Sequence, residues 1–238
     1  MVDFHSHILP AMDDGASTVE ESISLLRESV RQGVTTICAT PHFRPDDEDP
    51  ASFLRRRTEA GKALQQAMRQ SPGKYPRILL RAEVEYYPGI SASEDIKRLR
   101  IGKSACLLIE PLMLPWSDYM LDEIEALGDE GQCVPVIAHV DRYMRFLQEP
   151  MLLDRLAERR IMAQVNASFF LYEDSAEYAI QHLRRRTIRL IGSDCHNMTR
   201  RPPNMGAALR QIRAFGEEES FSRLNERAEK LLEPIAKP

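Results

Sequence analysis

Cysteine is scarce in this chain: four thiols in 238 residues, Cys38, Cys106, Cys133 and Cys195, none in a C-x-x-C pair. That excludes a disulfide scaffold or a thiolate zinc site, and because each thiol lies in or just after an apolar run, all four read as reduced core residues. No apolar run approaches the roughly 20 residues needed to span a bilayer. The N-terminus opens on Met1-Val2-Asp3-Phe4-His5 without the basic and apolar regions of a signal peptide, so a cytoplasmic protein is expected. Strong charge of either sign is also missing. With 32 Lys and Arg against 36 Asp and Glu, the formal net charge of -4 recruits neither nucleic acid nor a membrane surface. Repeats and low-complexity tracts are absent, and 43% hydrophobic residues suffice to fill one core, so a single domain over residues 1–238 is expected.

What is present is an alternation of short apolar runs with amphipathic stretches. Strands are predicted at Val2 to Phe4, Val34 to Ala39, Ile78 to Ala82, Ala105 to Ile109, Cys133 to Ala138, Ile161 to Val165 and Thr187 to Ile191. Helices are predicted at Ser17 to Gln32, Ala51 to Gln70, Ser117 to Leu127, Met151 to Arg159, Ser175 to Arg185, Met205 to Phe215 and Phe221 to Leu232. In the first of these, Ser17 or Thr18 caps the start, Val19, Ile23, Leu26 and Val30 line one face, and Gly33 closes the helix. Strands alternating with helices pair in parallel, because parallel neighbours need a long crossover. A closed or nearly closed α/β barrel of about seven strands fits better than an open sheet, since nearly every strand delivers a polar residue at its C-terminal end.

Those end-of-strand residues carry the chemistry. Five of the six histidines fall at such ends: His5 and His7, His42, His139, and His196; His182 stands apart and reads as an ordinary hydrogen-bonded residue. Asp13 and Asp14 follow the first strand, Glu83 ends the third, Glu110 the fourth, Asn166 the sixth, and Asp194 precedes His196. In His5-x-His7 and Asp194-x-His196, an extended backbone would turn both members of each pair to one side and Ser6 and Cys195 away. Isolated buried carboxylates cost several kcal/mol unless they are paired or metal-bound, so Glu83 and Glu110 point to cations. Glu83, Glu110, Asp194 and one of Asp13 or Asp14 would carry four negative charges. Three divalent ions would leave about +2, a charge suited to a phosphate dianion. A donor set of imidazole and carboxylate without thiolate favours Mn, Fe or Zn.

The His5-x-His7 start, His42, Glu83, Ile109-Glu110, Ile137-Ala138-His139 and Ser193-Asp194-Cys195-His196 together resemble the polymerase and histidinol phosphatase (PHP) family. Within it, Asp3 to Gly15, Val136 to Tyr143, and Ser193 to Asn197 with Arg201-Pro202-Pro203 are similar to bacterial tyrosine-protein phosphatases of capsular and exopolysaccharide operons. The resemblance spans nearly the whole chain and implies a distorted (β/α)7 barrel of the PHP type holding three divalent ions, most often manganese. It also implies their ligands: His5, His7, Glu83 and Asp194 for one ion, Glu83, Glu110 and His139 for a second, and Asp14, His42 and His196 for the third. Asp13 is the alternative there, because spacing does not choose between adjacent aspartates. Arg142 and Arg201 match the family's phosphate-binding arginines, and forked donors a few residues past His139 and His196 suit phosphoryl oxygens. Arg44 is a weaker third candidate. The implied reaction is in-line attack on phosphorus by a hydroxide bridging the metals. The implied substrate is the phosphotyrosine tail of a bacterial tyrosine autokinase of polysaccharide export, met at a mouth rimmed by Arg44, Arg142, Arg201, Phe43, Tyr143 and Phe169.

Rival readings remain. A histidinol phosphatase or general phosphoesterase would use the same metal core. A non-catalytic metal-binding partner of an assembly kinase would not need both arginines. Cys38 to Arg44 and Cys195 to Arg201 match the Cys-x5-Arg spacing of thiol phosphatases, but neither loop contains the glycines that build an anion cradle.

Overall fold

The computed structural model describes residues 1–93, 95–100, 106–129 and 133–233, which form an α/β architecture in which every paired strand is parallel to its neighbour. The strands are β1 (Val2–Ser6), β2 (Thr36–Ala39), β3 (His42–Phe43), β4 (Arg77–Leu80), β5 (Glu83–Glu85), β6 (Cys106–Glu110), β7 (Val134–Ile137), β8 (Met162–Asn166) and β9 (Ile188–Gly192). Two interruptions turn the seven expected runs into nine segments. β2 and β3 are separated by Thr40 and Pro41, where proline has no N–H to donate. β4 and β5 are separated by Arg81 and Ala82, yet pairing continues across both gaps: Arg81 N–H donates to Ala39 O at 2.7 Å and Glu83 N–H to Pro41 O at 3.0 Å. The run predicted from Ala105 begins outside the described residues; β6 is described from Cys106.

Two sheets result, in the orders β1-β2-β4 and β3-β5-β6-β7-β8-β9. Since β2 leads into β3 and β4 into β5, they form one curved wall. Its remaining seam, between β9 and β1, is a single Ser6–Cys195 bridge, with Asp194 N–H donating to His5 O at 2.8 Å and His7 N–H to Cys195 O at 2.9 Å. That thin seam and the two interruptions are the distortion.

The crossovers contain α1 (Val19–Arg31), α2 (Pro50–Gln70), α3 (Ile96–Leu99), α4 (Asp118–Asp129), α5 (Val140–Leu147), α6 (Leu152–Glu158) and α7 (Ala176–Arg185), and α8 (Met205–Ala214) and α9 (Glu218–Leu231) follow β9. Thr18 caps α1, its hydroxyl accepting from Glu21 N–H at 3.2 Å, while Glu21 reaches back to Ser17 N–H at 2.9 Å. Gly33, at φ 89°, ends it. The seven predicted helices all occur. Two further helices were not predicted, and α5 matters: it starts directly after β7 and buries only Val140 and Tyr143, too short a stripe for periodicity to reveal. One large apolar cluster lies between helices and strands. A smaller one takes Phe4, Cys38, Cys106, Leu108, Val136 and Leu190 from β1, β2, β6, β7 and β9, together with Ala228 and Leu232 at the end of α9.

Candidate metal centre

Parallel pairing turns all strands the same way, and the nine expected donors gather on one side, His42 and Glu83 as the first residues of β3 and β5, not at strand ends as expected, and the others at or beyond the ends of their strands. Glu83, fully buried at the start of β5, is the hub: its carboxylate lies 3.1 Å from His5 Nε2, 3.2 Å from His7 Nε2, 3.2 Å from His42 Nδ1 and 2.9 Å from His139 Nε2. Asp194 Oδ1 approaches the His5 and His7 imidazoles at 3.7 and 3.5 Å. On the next side Glu110 lies 3.2 Å from His139 Nε2 and 3.1 Å from His42 Nδ1. Asp14 Oδ1 lies 3.6 Å from His42 Nε2 and 3.4 Å from His196 Nε2. Three overlapping donor groups follow: His5, His7 and Glu83; His42, Glu83 and Glu110; and His7, Asp14, His42 and His196. His7 and His42 thus each belong to two groups, a sharing that strand spacing did not reveal.

The adjacent aspartates part company. Asp13 is turned inward: it accepts from His7 Nδ1 at 2.7 Å, from Gly15 N–H at 2.9 Å and from His42 N–H at 2.9 Å. Asp14 alone faces His42 and His196. Gln164, buried in β8, was not picked out from the sequence, although a polar residue within an apolar run was the available sign. Its Oε1 lies 3.1 Å from His5 Nδ1 and accepts from His139 N–H at 2.7 Å. Such partners fix the ring so that Nε2 faces the cluster.

Close approach is made possible by missing side chains. A Cβ on Gly192 would lie 2.4 Å from His5 Cβ, and one on Gly15 would lie 2.2 Å from His7 O. His139 and Asp194 occupy left-handed backbone, at φ 31° and 53°, conformations that non-glycine residues hold only where the surroundings enforce them. Asp194-x-His196 is therefore not extended, contrary to expectation; the turn after β9 aims both side chains at the cluster instead. Ser6 and Cys195 do point away, the Ser6 hydroxyl donating to Cys38 O at 2.7 Å.

The electrostatics describe a site built for cations. Burial raises the free energy of every carboxylate here, but His5 and His139 hold Glu83 well below its ordinary range, and His139 and His42 hold Glu110 at about 2. Conversely, burial would depress His7 and His139, yet Asp13 and Glu83 lift His7 to about 10, and Glu110 and Glu83 lift His139 to about 9. Asp194 Oδ1 is buried without a hydrogen-bond donor, its nearest imidazole nitrogen 3.5 Å away, a costly state that an ion relieves.

Beside the cluster opens a cavity of about 770 Å³ walled by the segments after β7, β8 and β9. Arg142 and Arg201 both reach Asp194 Oδ2, Arg201 at 2.5 Å, and Arg201 also donates to His196 Nε2 at 2.8 Å. The rim expected from sequence needs correction. Phe43 and Tyr143 are core residues, Phe43 packing on Phe53 and Tyr143 donating to Pro111 O while stacking on His139. Phe169 does line the cavity, but its exposed aromatics are Phe146 and Tyr172. Phe146 lies one helical turn past Arg142 in α5, so its placement was hidden with that helix. Arg44 borders a separate hollow beside Asp13, with Glu85 at 3.7 Å. His182 is buried against Thr187 Oγ1 at 2.7 Å, apart from the site.

All four cysteines are buried thiols. Burial pushes the Cys38 thiol up to about 12 and raises Cys195 further, the opposite of an activated nucleophile. Among the described residues no helix is long and apolar enough to cross a membrane.

The profile described as capsular polysaccharide synthesis, CpsB/CapC, matches residues 1–233. The chain is 29% identical over 251 residues to the tyrosine-protein phosphatase CpsB of Streptococcus agalactiae, covering 98% of both, and 32% identical over 248 residues to the tyrosine-protein phosphatase YwqE of Bacillus subtilis, covering 98% of this chain and 91% of that protein. Its fold superposes, with a TM-score of 0.83, 28% identity and complete coverage of both chains, on a crystal structure from work on YwqE of Bacillus subtilis and CpsB of Streptococcus pneumoniae, metal-dependent tyrosine phosphatases. The histidinol phosphate phosphatase of Lactococcus lactis shares the fold at 13% identity and a TM-score of 0.56, over 92% of this chain and 93% of that one.

Proposed function

Because the chain belongs to the CpsB/CapC family of capsular polysaccharide synthesis, we propose that it is a metal-dependent protein-tyrosine phosphatase. The observation that carries this reading is the arrangement at the rim: nine converging imidazoles and carboxylates, one of them, Asp194, with an undonated buried oxygen, lie beneath two guanidiniums facing an open cavity.

We assign His5, His7, Glu83 and Asp194 to one divalent ion, Glu83, Glu110 and His139 to a second, and Asp14, His42 and His196 to a third, with manganese favoured and iron or zinc compatible with the same donors. When bound, such ions supply Lewis acidity and lower the pKa of water toward neutrality. The protein's own groups do the rest. Asp13 and Gln164 fix the His7 and His5 rings. Arg142 and Arg201, held at the cavity mouth by Asp194, offer forked donors to the equatorial phosphoryl oxygens, where charge gathers during in-line displacement. Phe146 and Tyr172 give the substrate ring apolar surface. The phenolate leaves with a parent pKa near 10, so no side chain has to serve as a dedicated acid.

The open, aromatic and basic cavity suits a flexible tail, and we take the phosphotyrosine tail of a bacterial tyrosine autokinase, presented in the cytoplasm, as the substrate. The deciding experiment compares kcat/KM for a phosphotyrosine tail peptide, histidinol phosphate and a phosphoserine peptide, with and without EDTA. Phosphotyrosine should dominate and EDTA should abolish turnover. A preference for histidinol phosphate would reassign the enzyme to a small-molecule phosphatase on the same core, and activity surviving EDTA would refute the metal reading.

A further inference from the structure

The cavity beside the cluster is lined by more guanidiniums than one phosphoryl group engages, although Asp141 and Asp194 line it too. Arg142, Arg145, Arg200 and Arg201 all line it. Two are committed: Arg142 and Arg201 converge on Asp194 Oδ2. The others are not. Arg200 is exposed, and among the described residues no carboxylate pairs with its guanidinium. Arg145 approaches Asp174 at 3.7 Å, but these side chains are 66% and 76% exposed, and such a contact contributes little.

Both are nevertheless positioned. Arg145 lies three residues past Arg142 in α5, so the two share a helix face, and its guanidinium stands 5.7 Å over the Tyr172 ring, an attraction that holds it over the cavity wall. Arg200 sits in a turn whose backbone is tied by Asn197 Oδ1, which accepts from the N–H groups of Thr199 at 3.1 Å, Arg200 at 2.7 Å and Arg201 at 3.2 Å. Surplus guanidiniums thus stand on two walls of a space far larger than one aryl phosphate.

We propose that Arg145 and Arg200 form a second anion subsite, which binds a negatively charged group of the substrate peptide close in sequence to the reacting phosphotyrosine: a second phosphoryl group or a carboxylate. The inference rests on the tyrosine phosphatase reading and extends it to a preference among peptides. The second group keeps its charge through the reaction, so its contact stabilises ground and transition states alike and appears in KM, not kcat.

The test uses the metal-loaded full-length chain with three phosphotyrosine peptides that differ at one position two residues from the phosphotyrosine: glutamine, glutamate or a second phosphotyrosine. Each kcat/KM is divided by that for p-nitrophenyl phosphate, which has no second anion. The wild type should favour one or both charged peptides over the glutamine peptide by about 3- to 5-fold, through KM, the scale of exposed charge contacts. Arg145→Ala with Arg200→Ala should erase that preference and Arg145→Glu with Arg200→Glu should invert it, with thermal melts confirming that the variants fold. Preference for the doubly phosphorylated peptide alone would identify the second group as phosphoryl, and equal preference would identify any anion. Equal wild-type kcat/KM on all three, or a preference that survives in the alanine variant, would overturn the subsite. Hydrolysis of p-nitrophenyl phosphate but of no phosphotyrosine peptide would overturn the tyrosine phosphatase reading and the subsite with it.

Discussion

Glu83 faces four imidazoles from β1, the segment after it, β3 and the turn after β7. Asp194 faces three imidazoles, and Glu110 and Asp14 two each. Under the proposed assignment loss of Glu83 removes a donor from two ions at once, while loss of His42, which borders two donor groups but is assigned to one ion, leaves Glu83 and Glu110 in place. Native mass spectrometry of Glu83→Ala should show fewer bound ions than His42→Ala, and turnover should fall further; full metal occupancy in the Glu83 variant would refute the bridging role. The arginines separate from the ligands by the same measurement. Arg142→Ala or Arg201→Ala should retain metal while losing roughly 100-fold in rate, the scale of a preorganised charge contact, and lysine at either position should restore only part because it lacks the fork. Wild-type kinetics in an alanine variant would return that arginine to a structural role on Asp194.

At the scale of elements, the seam between β1 and β9 decides whether the two ends of the donor set meet. It has one bridge and no room: Gly192 lies against His5, and the added Cβ of Gly192→Ala would reach within 2.4 Å of His5 Cβ. Overpacking of this sort costs about 1–3 kcal/mol, and backbone is among the atoms that must move. The variant should lower the urea midpoint and reduce bound metal together, since the strand carrying His5 is displaced from Asp194. An unchanged midpoint with full metal content would show that the seam has slack. Gln164→Ala tests the opposite side of His5. With its Nδ1 partner gone, metal affinity should fall by roughly 10- to 100-fold while urea stability of the chelated protein changes less; unaltered affinity would remove Gln164 from the ligand-positioning set.

For the whole molecule, the metal-free state should be held together by protons on the imidazoles. His7 is raised from 6.5 to about 10 and His139 from 6.5 to about 9. Their contribution is full below pH 6.5 and is lost as pH rises through 9 and 10. Glu110, lowered from 4.5 to about 2, contributes above pH 4.5 and loses its effect as pH falls through 2. The Tm of the EDTA-treated protein should therefore fall as pH rises from 6.5 to 9. Metal binding displaces those protons, so the metal-loaded protein should gain relative to it over the same range. Parallel Tm curves for the two forms would contradict proton–metal exchange at the cluster.

The sequence by itself determined the strand–helix alternation, the seven principal helices within a few residues, and eight of the nine side chains that gather at the rim, because strand ends in a parallel α/β fold share one side of the sheet and His, Asp and Glu there are conspicuous against apolar runs. The choice between Asp13 and Asp14 was not legible: adjacent residues differ only in the direction their side chains take, and hydrogen bonds from Gly15 and His42 turn Asp13 inward. Gln164, the seam at Gly192 and the cavity wall of Phe146, Tyr172, Arg145 and Arg200 depended on which strand faces which and on α5, whose eight residues are too few to stand out beside the longer helices. Phe43 and Tyr143 went to the core for the same reason. An aromatic beside a ligand can point to solvent or inward, and only the packing of neighbouring elements decides between the two.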